Sequence, residues 1–132
     1  PMLKEKNLQC NLCAAADIML RCDADKIQRV FDNLLRNAVI YSFENTEITI
    51  NAQCQDKTVS IVFHNYGDTI PEEKLNRIFE QFYRLDTARS TSRGGAGLGL
   101  AIARQIVELH NGTITAKSQE EQIEFSITLP LS

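Results

Sequence analysis

The sequence has no tryptophan, three prolines and only two histidines, and its basic residues do not outnumber its acidic ones. With 14 Lys and Arg against 17 Asp and Glu, the net charge is −3. That balance argues against a nucleic-acid-binding domain, which carries a basic surplus. No apolar run approaches the roughly 20 residues of a membrane-spanning helix. The opening "PMLKEKNLQC" has no apolar core of the secretion-signal kind, so the chain reads as a soluble piece, compatible with a membrane anchor elsewhere in a longer parent. Repeats, low-complexity tracts and linker-like stretches are missing too, so residues 1–132 read as one domain. Four cysteines are present, Cys10, Cys13, Cys22 and Cys54. Cys10 and Cys13 form a CxxC, but they lie in an alternating stretch where residues three apart point to opposite faces. No second CxxC or Cys/His pair completes a zinc set, and reduced, buried cytosolic thiols are expected.

What is there is an ordinary globular composition, 43% hydrophobic and 23% charged. Alternation marks short strands over Leu8 to Ala14 and Ile18 to Cys22. Asp23 is placed to cap a long helix reaching about Tyr41, with Ile27, Val30, Phe31, Leu34, Leu35 and Ala38 recurring at helical spacing as its core face. Ile48, Ile50, Ala52 and Cys54, the turn "QDK", then Val59, Ile61 and Phe63 predict a hairpin. Pro71 opens a second helix with a face of Leu75, Ile78, Phe79 and Phe82. Residues 84–97 lack apolar periodicity and read as a long loop. A third helix runs from about Leu98 to His110 and stops at Asn111-Gly112. Strands over Thr113 to Ser118 and Gln122 to Leu129 finish the chain. The pairing of strands in this order predicts an α+β fold, a mixed and mostly antiparallel sheet with helices on one face.

Four stretches carry chemistry. In "VFDNLLRNAVIYS", Asn33 and Asn37 stack four apart on a flank bordering the apolar face. Their amides either pair with backbone or turn their oxygens toward a hard cation or phosphate-bound water; the residues alone leave both open. In "FHNYGDTIPEEKL", Asn65 ends a strand and Gly67 permits a close approach. This is either an ordinary loop or an amide able to match adenine's amine and ring nitrogen. In "IFEQFYRLD", Phe79 and Phe82 are most simply core residues, while Arg84, Arg89 and Arg93 concentrate positive charge against Asp86 alone. Finally, four of the six glycines crowd into Gly94 to Gly99. The spacing Gly95-x-Gly97-x-Gly99 after a polar loop fits neither a dinucleotide fingerprint nor a Walker loop. What remains is a glycine turn that points free N–H groups and a helix dipole at an anion, with Leu98 and Leu100 tying it to the core.

In this order the four stretches resemble the ATP-binding domain of sensor histidine kinases, within the ATPase group of gyrase, Hsp90 and MutL. "NLLRNA" looks like the N box, "NYGDTIP" the G1 box, "IFEQFYR" the F box and "GGAGLGLAIA" the G2 box. The run "FYRLDTARSTSRGGAGLGLAIA" resembles the vancomycin-resistance sensor kinases of the VanS type. The resemblance implies a two-layer α/β sandwich of the Bergerat type, holding ATP and Mg²⁺ between the long helix and the glycine loop. By the same resemblance Asn37 ligates Mg²⁺, Asn33 sits beside the phosphates, and these two are the catalytic pair. Asn65 reads adenine, Gly67 and Ile70 shape its pocket, and Tyr41 lies near the base or ribose. Phe79 and Phe82 pack the hinge of an ATP lid over about residues 86–95, and Gly95, Gly97 and Gly99 hold the phosphates, flanked by Leu98 and Leu100.

The chain departs from the family pattern at two places. The usual Asp-x-Gly-x-Gly is Asn65-Tyr66-Gly67-Asp68-Thr69 here, and a lysine frequent three residues after the magnesium asparagine is Ile40. Phosphate neutralisation then falls to Arg84 or Arg93. Neither His64 nor His110 sits in the family's phosphoacceptor context. The resemblance therefore implies a monomeric catalytic domain that donates the γ-phosphoryl group to a histidine on a separate dimerisation domain, in the cytoplasmic part of a membrane-anchored bacterial sensor. The phosphoryl group would pass on to a response regulator. The alternatives are a stand-alone serine kinase of the anti-sigma-factor type and an interaction module poor in nucleotide binding.

Overall fold

The computed structural model describes residues 6–14, 22–81, 83 and 99–131. Its elements are β1 (Gln9–Ala14), α1 (Ala24–Tyr41), β2 (Glu47–Gln55), β3 (Thr58–Tyr66), α2 (Glu72–Leu75), α3 (Gly99–Leu109), β4 (Thr113–Gln119) and β5 (Gln122–Pro130). The five strands form one sheet in the order β1-β2-β3-β5-β4. Only β1 and β2 run parallel, with Gln9 opposite Glu47. Parallel neighbours need a crossover, and α1 supplies it. Of the expected strand over Ile18 to Cys22, residues 18–21 lie outside the described residues.

Local signals account for most of the elements. Asp23 caps α1 from an extended backbone, its carboxylate accepting from the Lys26 N–H. Ile27, Val30, Leu34 and Ala38 are buried, with Phe31 and Leu35 packed against them. The helix lies on the sheet face made by Val59, Ile61 and Phe63 of β3 and by Ile123, Phe125, Ile127 and Leu129 of β5, all buried. Burying every second residue of both strands makes one face apolar, and α1, α2 and α3 cover it. At the end of α3, Asn111 adopts φ +63°, its N–H bonds Glu108 O, and Gly112 N–H bonds Val107 O. This is the paired closure of a helix by a left-handed residue. A Cβ on Gly112 would stand 2.4 Å from Thr128 O, so glycine is what lets the chain turn flat onto β5.

Two expectations need correction. The second helix is a single turn, Glu72–Leu75, with Pro71 as its N-cap. Beyond it the chain tightens: Arg77, Ile78 and Glu80 N–H groups bond carbonyls three residues back. These tight turns still bury Ile78 and press Phe79 against Phe125, ring centroids 6.0 Å apart and edge-on. The cysteines are exposed, all four of them, not buried. β1 is an edge strand with every residue exposed, and Leu12 on its helix-side face is 73% exposed. At the Cys10 thiol, partial desolvation first and the Glu47 carboxylate second push the pKa above its ordinary value.

Candidate functional site

Asn33, Asn37 and Tyr41 follow one another at four-residue intervals along α1 and line one flank for about 12 Å. All three are half-buried, beside the buried Leu34 and Ala38. Asn33 Nδ2 donates to the Gly99 carbonyl oxygen at 3.1 Å. The backbone-pairing reading therefore holds for the Asn33 amide nitrogen, while its side-chain oxygen takes no part in that bond. Gly99 is the first residue of α3, so the bond seats the start of α3 against the middle of α1. Unbonded N–H groups and the positive dipole end gather at such a helix start. Leu100, one residue on, packs on the core.

At its far end the flank meets the loop after β3. A Cβ on Gly67 would lie 2.1 Å from the Tyr41 carbonyl oxygen and 3.3 Å from Asn65 Nδ2. Only glycine allows the two backbones to touch there. The Phe43 N–H also donates to Tyr66 O at 2.8 Å, fixing the same junction from the other side.

Asn65 continues the inward face of β3 and is 2% exposed. Its Nδ2 is, among the described residues, the buried side-chain polar atom with no hydrogen-bond partner. Leaving such a donor unpaired costs about 1–3 kcal/mol, an arrangement that asks for a completing ligand. Ile70 is buried in the core, and its N–H donates to Ser118 Oγ at 2.9 Å.

Sequence reasoning missed how this loop is held. The Gly67 N–H donates to Glu121 O at 3.0 Å, and the Glu121 N–H donates to Thr69 Oγ1 at 2.7 Å. Ser118 Oγ, which accepts from Ile70, itself donates to Gln122 O at 2.7 Å. The β4–β5 turn thus clamps the Asn65–Ile70 segment from 48 or more residues away. No local pattern announces such a clamp, because each partner is an ordinary turn residue.

Of the expected site residues, Asn33, Asn37, Tyr41, Asn65, Gly67 and Gly99 are gathered along the α1 flank, while Ile70, Leu100 and Phe79 belong to the core, Phe79 against β5. Phe82, Arg84, Arg93, Gly95, Gly97, Leu98 and the lid over 86–95 lie outside the described residues. The residues present fit a purine nucleotide with a hard cation: an orphaned buried amide beside a glycine contact, and two amides whose oxygens suit Mg²⁺.

Known proteins resemble this chain in sequence and in fold. The family model described as histidine kinase-, DNA gyrase B- and HSP90-like ATPase matches residues 22–132. The chain belongs to this ATPase family. Within it, the chain is 47% identical to the sensor protein VanS of Enterococcus faecium and 43% identical to VanSC of Enterococcus gallinarum, over 98% of its length in both cases. It spans about a third of those relatives, 34% and 36% respectively. Among solved structures, the catalytic domain of the histidine kinase ThkA superposes with a TM-score of 0.84 at 29% identity, covering 98% of this chain and 82% of that one. ThkA has also been solved in complex with the response regulator protein TrrA, and that structure matches with a TM-score of 0.80 at 27% identity over 98% of this chain and 36% of that one. The α+β sandwich is therefore that of the sensor-kinase ATP-binding domain, and ATP is the nucleotide of the family. No helix among the described residues is long and apolar enough to cross a membrane.

Proposed function

We propose that this ATP-binding domain positions Mg-ATP for transfer of the γ-phosphoryl group to a histidine on a separate dimerisation domain, from which the group passes to a response regulator. The observation that carries the reading is the convergence on one α1 flank of the Gly99 start of α3 and the Asn65–Gly67 segment. Asn65 offers the base both a donor and an acceptor, and Ile70 and Tyr41 give it apolar walls. Asn37 holds Mg²⁺ through its side-chain oxygen, and Asn33 stands next to it with its amide nitrogen committed to Gly99. Gly99, with Gly95 and Gly97 before it, lets backbone N–H groups reach phosphate, and Arg84 or Arg93 balances the remaining charge. Bound Mg²⁺ supplies neutralisation of phosphate charge; the chain supplies position, which is most of what phosphoryl transfer needs.

Titration of the chain with ATP, with and without Mg²⁺, tests the first half. Saturable, Mg-enhanced binding is expected, and Asn37→Ala should remove the enhancement while leaving the fold intact. Absence of saturable binding refutes the reading. Adding a separately made histidine-bearing domain tests the second half: acid-labile phosphate should appear on that domain, and none on this chain alone.

A further inference from the structure

The last turn of α1 exposes carbonyl groups that have no partner within the helix, and no basic residue in that turn offsets the dipole. The ammonium of Lys6, more than thirty residues upstream, fills the gap. Lys6 Nζ donates to Val39 O at 3.0 Å, Ile40 O at 2.7 Å and Ser42 O at 3.0 Å. Three donors meet three carbonyls, the full complement of an ammonium group. Of the neighbouring carbonyls, Ala38 O accepts from Ser42 Oγ at 2.5 Å, and Tyr41 O lies against Gly67.

Lys6 itself is tied down, because the Asn45 N–H donates to its carbonyl at 2.9 Å and Asn7 Nδ2 donates to Asn45 Oδ1 at 2.8 Å. The segment before β1 is therefore fastened to the end of the helix that bears Asn33 and Asn37. The same helix end touches the loop that bears Asn65, through Tyr41 O on Gly67 and the Phe43 N–H on Tyr66 O.

We propose that Lys6 is a positioning residue of the nucleotide site, which sets the distance between the Asn37–Tyr41 flank and Asn65 by holding the carbonyl end of α1. This rests on the ATP-binding reading above. A cap that only stabilised the helix would change melting temperature and leave affinity alone. A positioning cap changes affinity, because small displacements of binding groups are amplified in recognition of a rigid ligand.

The experiment is Mg-ATP titration of the whole chain in Lys6→Met, Lys6→Gln and Lys6→Arg forms, with thermal melting of each. Lys6→Met should weaken Mg-ATP binding by about tenfold, Lys6→Gln by a smaller factor, and Lys6→Arg should recover most of the affinity. If Lys6→Met does not fold, the Lys6→Gln and Lys6→Arg pair is read in its place. Wild-type affinity in a folded Lys6→Met or Lys6→Gln chain, with or without a lower melting temperature, overturns the proposal. Equal loss in Lys6→Arg and Lys6→Gln overturns it too, since the charge and its donors would then not matter. Failure of the unaltered chain to bind Mg-ATP overturns the ATP-binding reading itself, a result separate from any Lys6 variant.

Discussion

Asn33 donates its side-chain amide to the main-chain carbonyl of Gly99, 3.1 Å away across 66 residues of sequence. The bond joins the N box to the G2 box before any nucleotide is considered, and it commits one end of the Asn33 amide to structure. Replacing Asn33 by Ala should cost about 1 kcal/mol of stability, the usual net value of one such bond. Replacing it by Asp should cost more, because a carboxylate would face the Gly99 carbonyl with no proton to offer. Chemical denaturation of the two variants checks the order Asn, then Ala, then Asp.

By its resemblance to the G1 box, Asn65 stands where that motif usually has aspartate. Asn65→Asp would exchange the orphaned donor for an anion in a site that is 2% exposed. Burial of that charge should lower the melting temperature of the ligand-free chain. An adenine amine donating to the carboxylate should then gain a charge-assisted bond, while the ring nitrogen loses the Nδ2 donor, so ATP affinity should change. Melting curves with and without ATP measure both effects, and a nucleotide-induced shift unchanged in the variant would contradict the assignment of Asn65 to the base.

The glycines divide by what a Cβ would strike. At Gly67 it meets Tyr41 O at 2.1 Å and at Gly112 Thr128 O at 2.4 Å, both unyielding backbone. Alanine at either should destabilise the chain by about 2 kcal/mol or more. At Gly99 the nearest atoms among the described residues are those of the Asn33 side chain, from 3.7 Å, an ordinary contact. Gly99→Ala should therefore fold with unchanged or slightly raised stability, since alanine is the better helix former by about 1 kcal/mol. Its ATP affinity should nevertheless fall, if phosphate needs the bare backbone there. Unchanged affinity in Gly99→Ala would remove Gly99 from the phosphate site.

The β4–β5 turn is strained. Glu120 and Glu121 take φ of +52° and +60°, a left-handed pair that favours Asn-Gly. The clamp on Glu121 by Gly67 and Thr69 explains how two glutamates are held in that shape. Glu120→Asn with Glu121→Gly should raise stability by about 1–2 kcal/mol, read as a higher melting temperature, while both clamp bonds survive because residue 121 takes part in them only through its backbone N–H and C=O.

Cys10 offers a pH-dependent readout. Its raised thiol pKa means that thiolate, the reactive form, appears only at higher pH than for an ordinary cysteine. Glu47→Gln removes the nearby negative charge that disfavours thiolate, so the alkylation profile of Cys10 should move to lower pH. The shift should be partial, since desolvation is the larger cause and remains.

Much of the fold was legible because its signals are local. The Asp23 cap and the 27-30-34-38 spacing define α1, and the alternation on either side of Asp56 defines the β2–β3 hairpin. Asn111-Gly112 marks the end of α3 within one residue. The shortness of α2 was not legible, because Leu75, Ile78 and Phe79 suit tight three-residue turns as well as a helix. The exposure of Cys10 and Cys13 was not legible either: the apolar alternation of β1 is the same whether a helix reaches over that edge or not.

By itself, then, the sequence determined the elements, the inward faces and the order of the four boxes, since periodicity, caps and turn residues act over a few positions. Tertiary structure alone decided that Asn33 bonds Gly99, that Gly67 touches Tyr41 O, that the Glu121 turn clamps the Asn65 loop, and that Lys6 closes α1. Those contacts join residues tens of positions apart through unremarkable backbone atoms, and a carbonyl or N–H group is the same at every residue until the fold brings its partner to it.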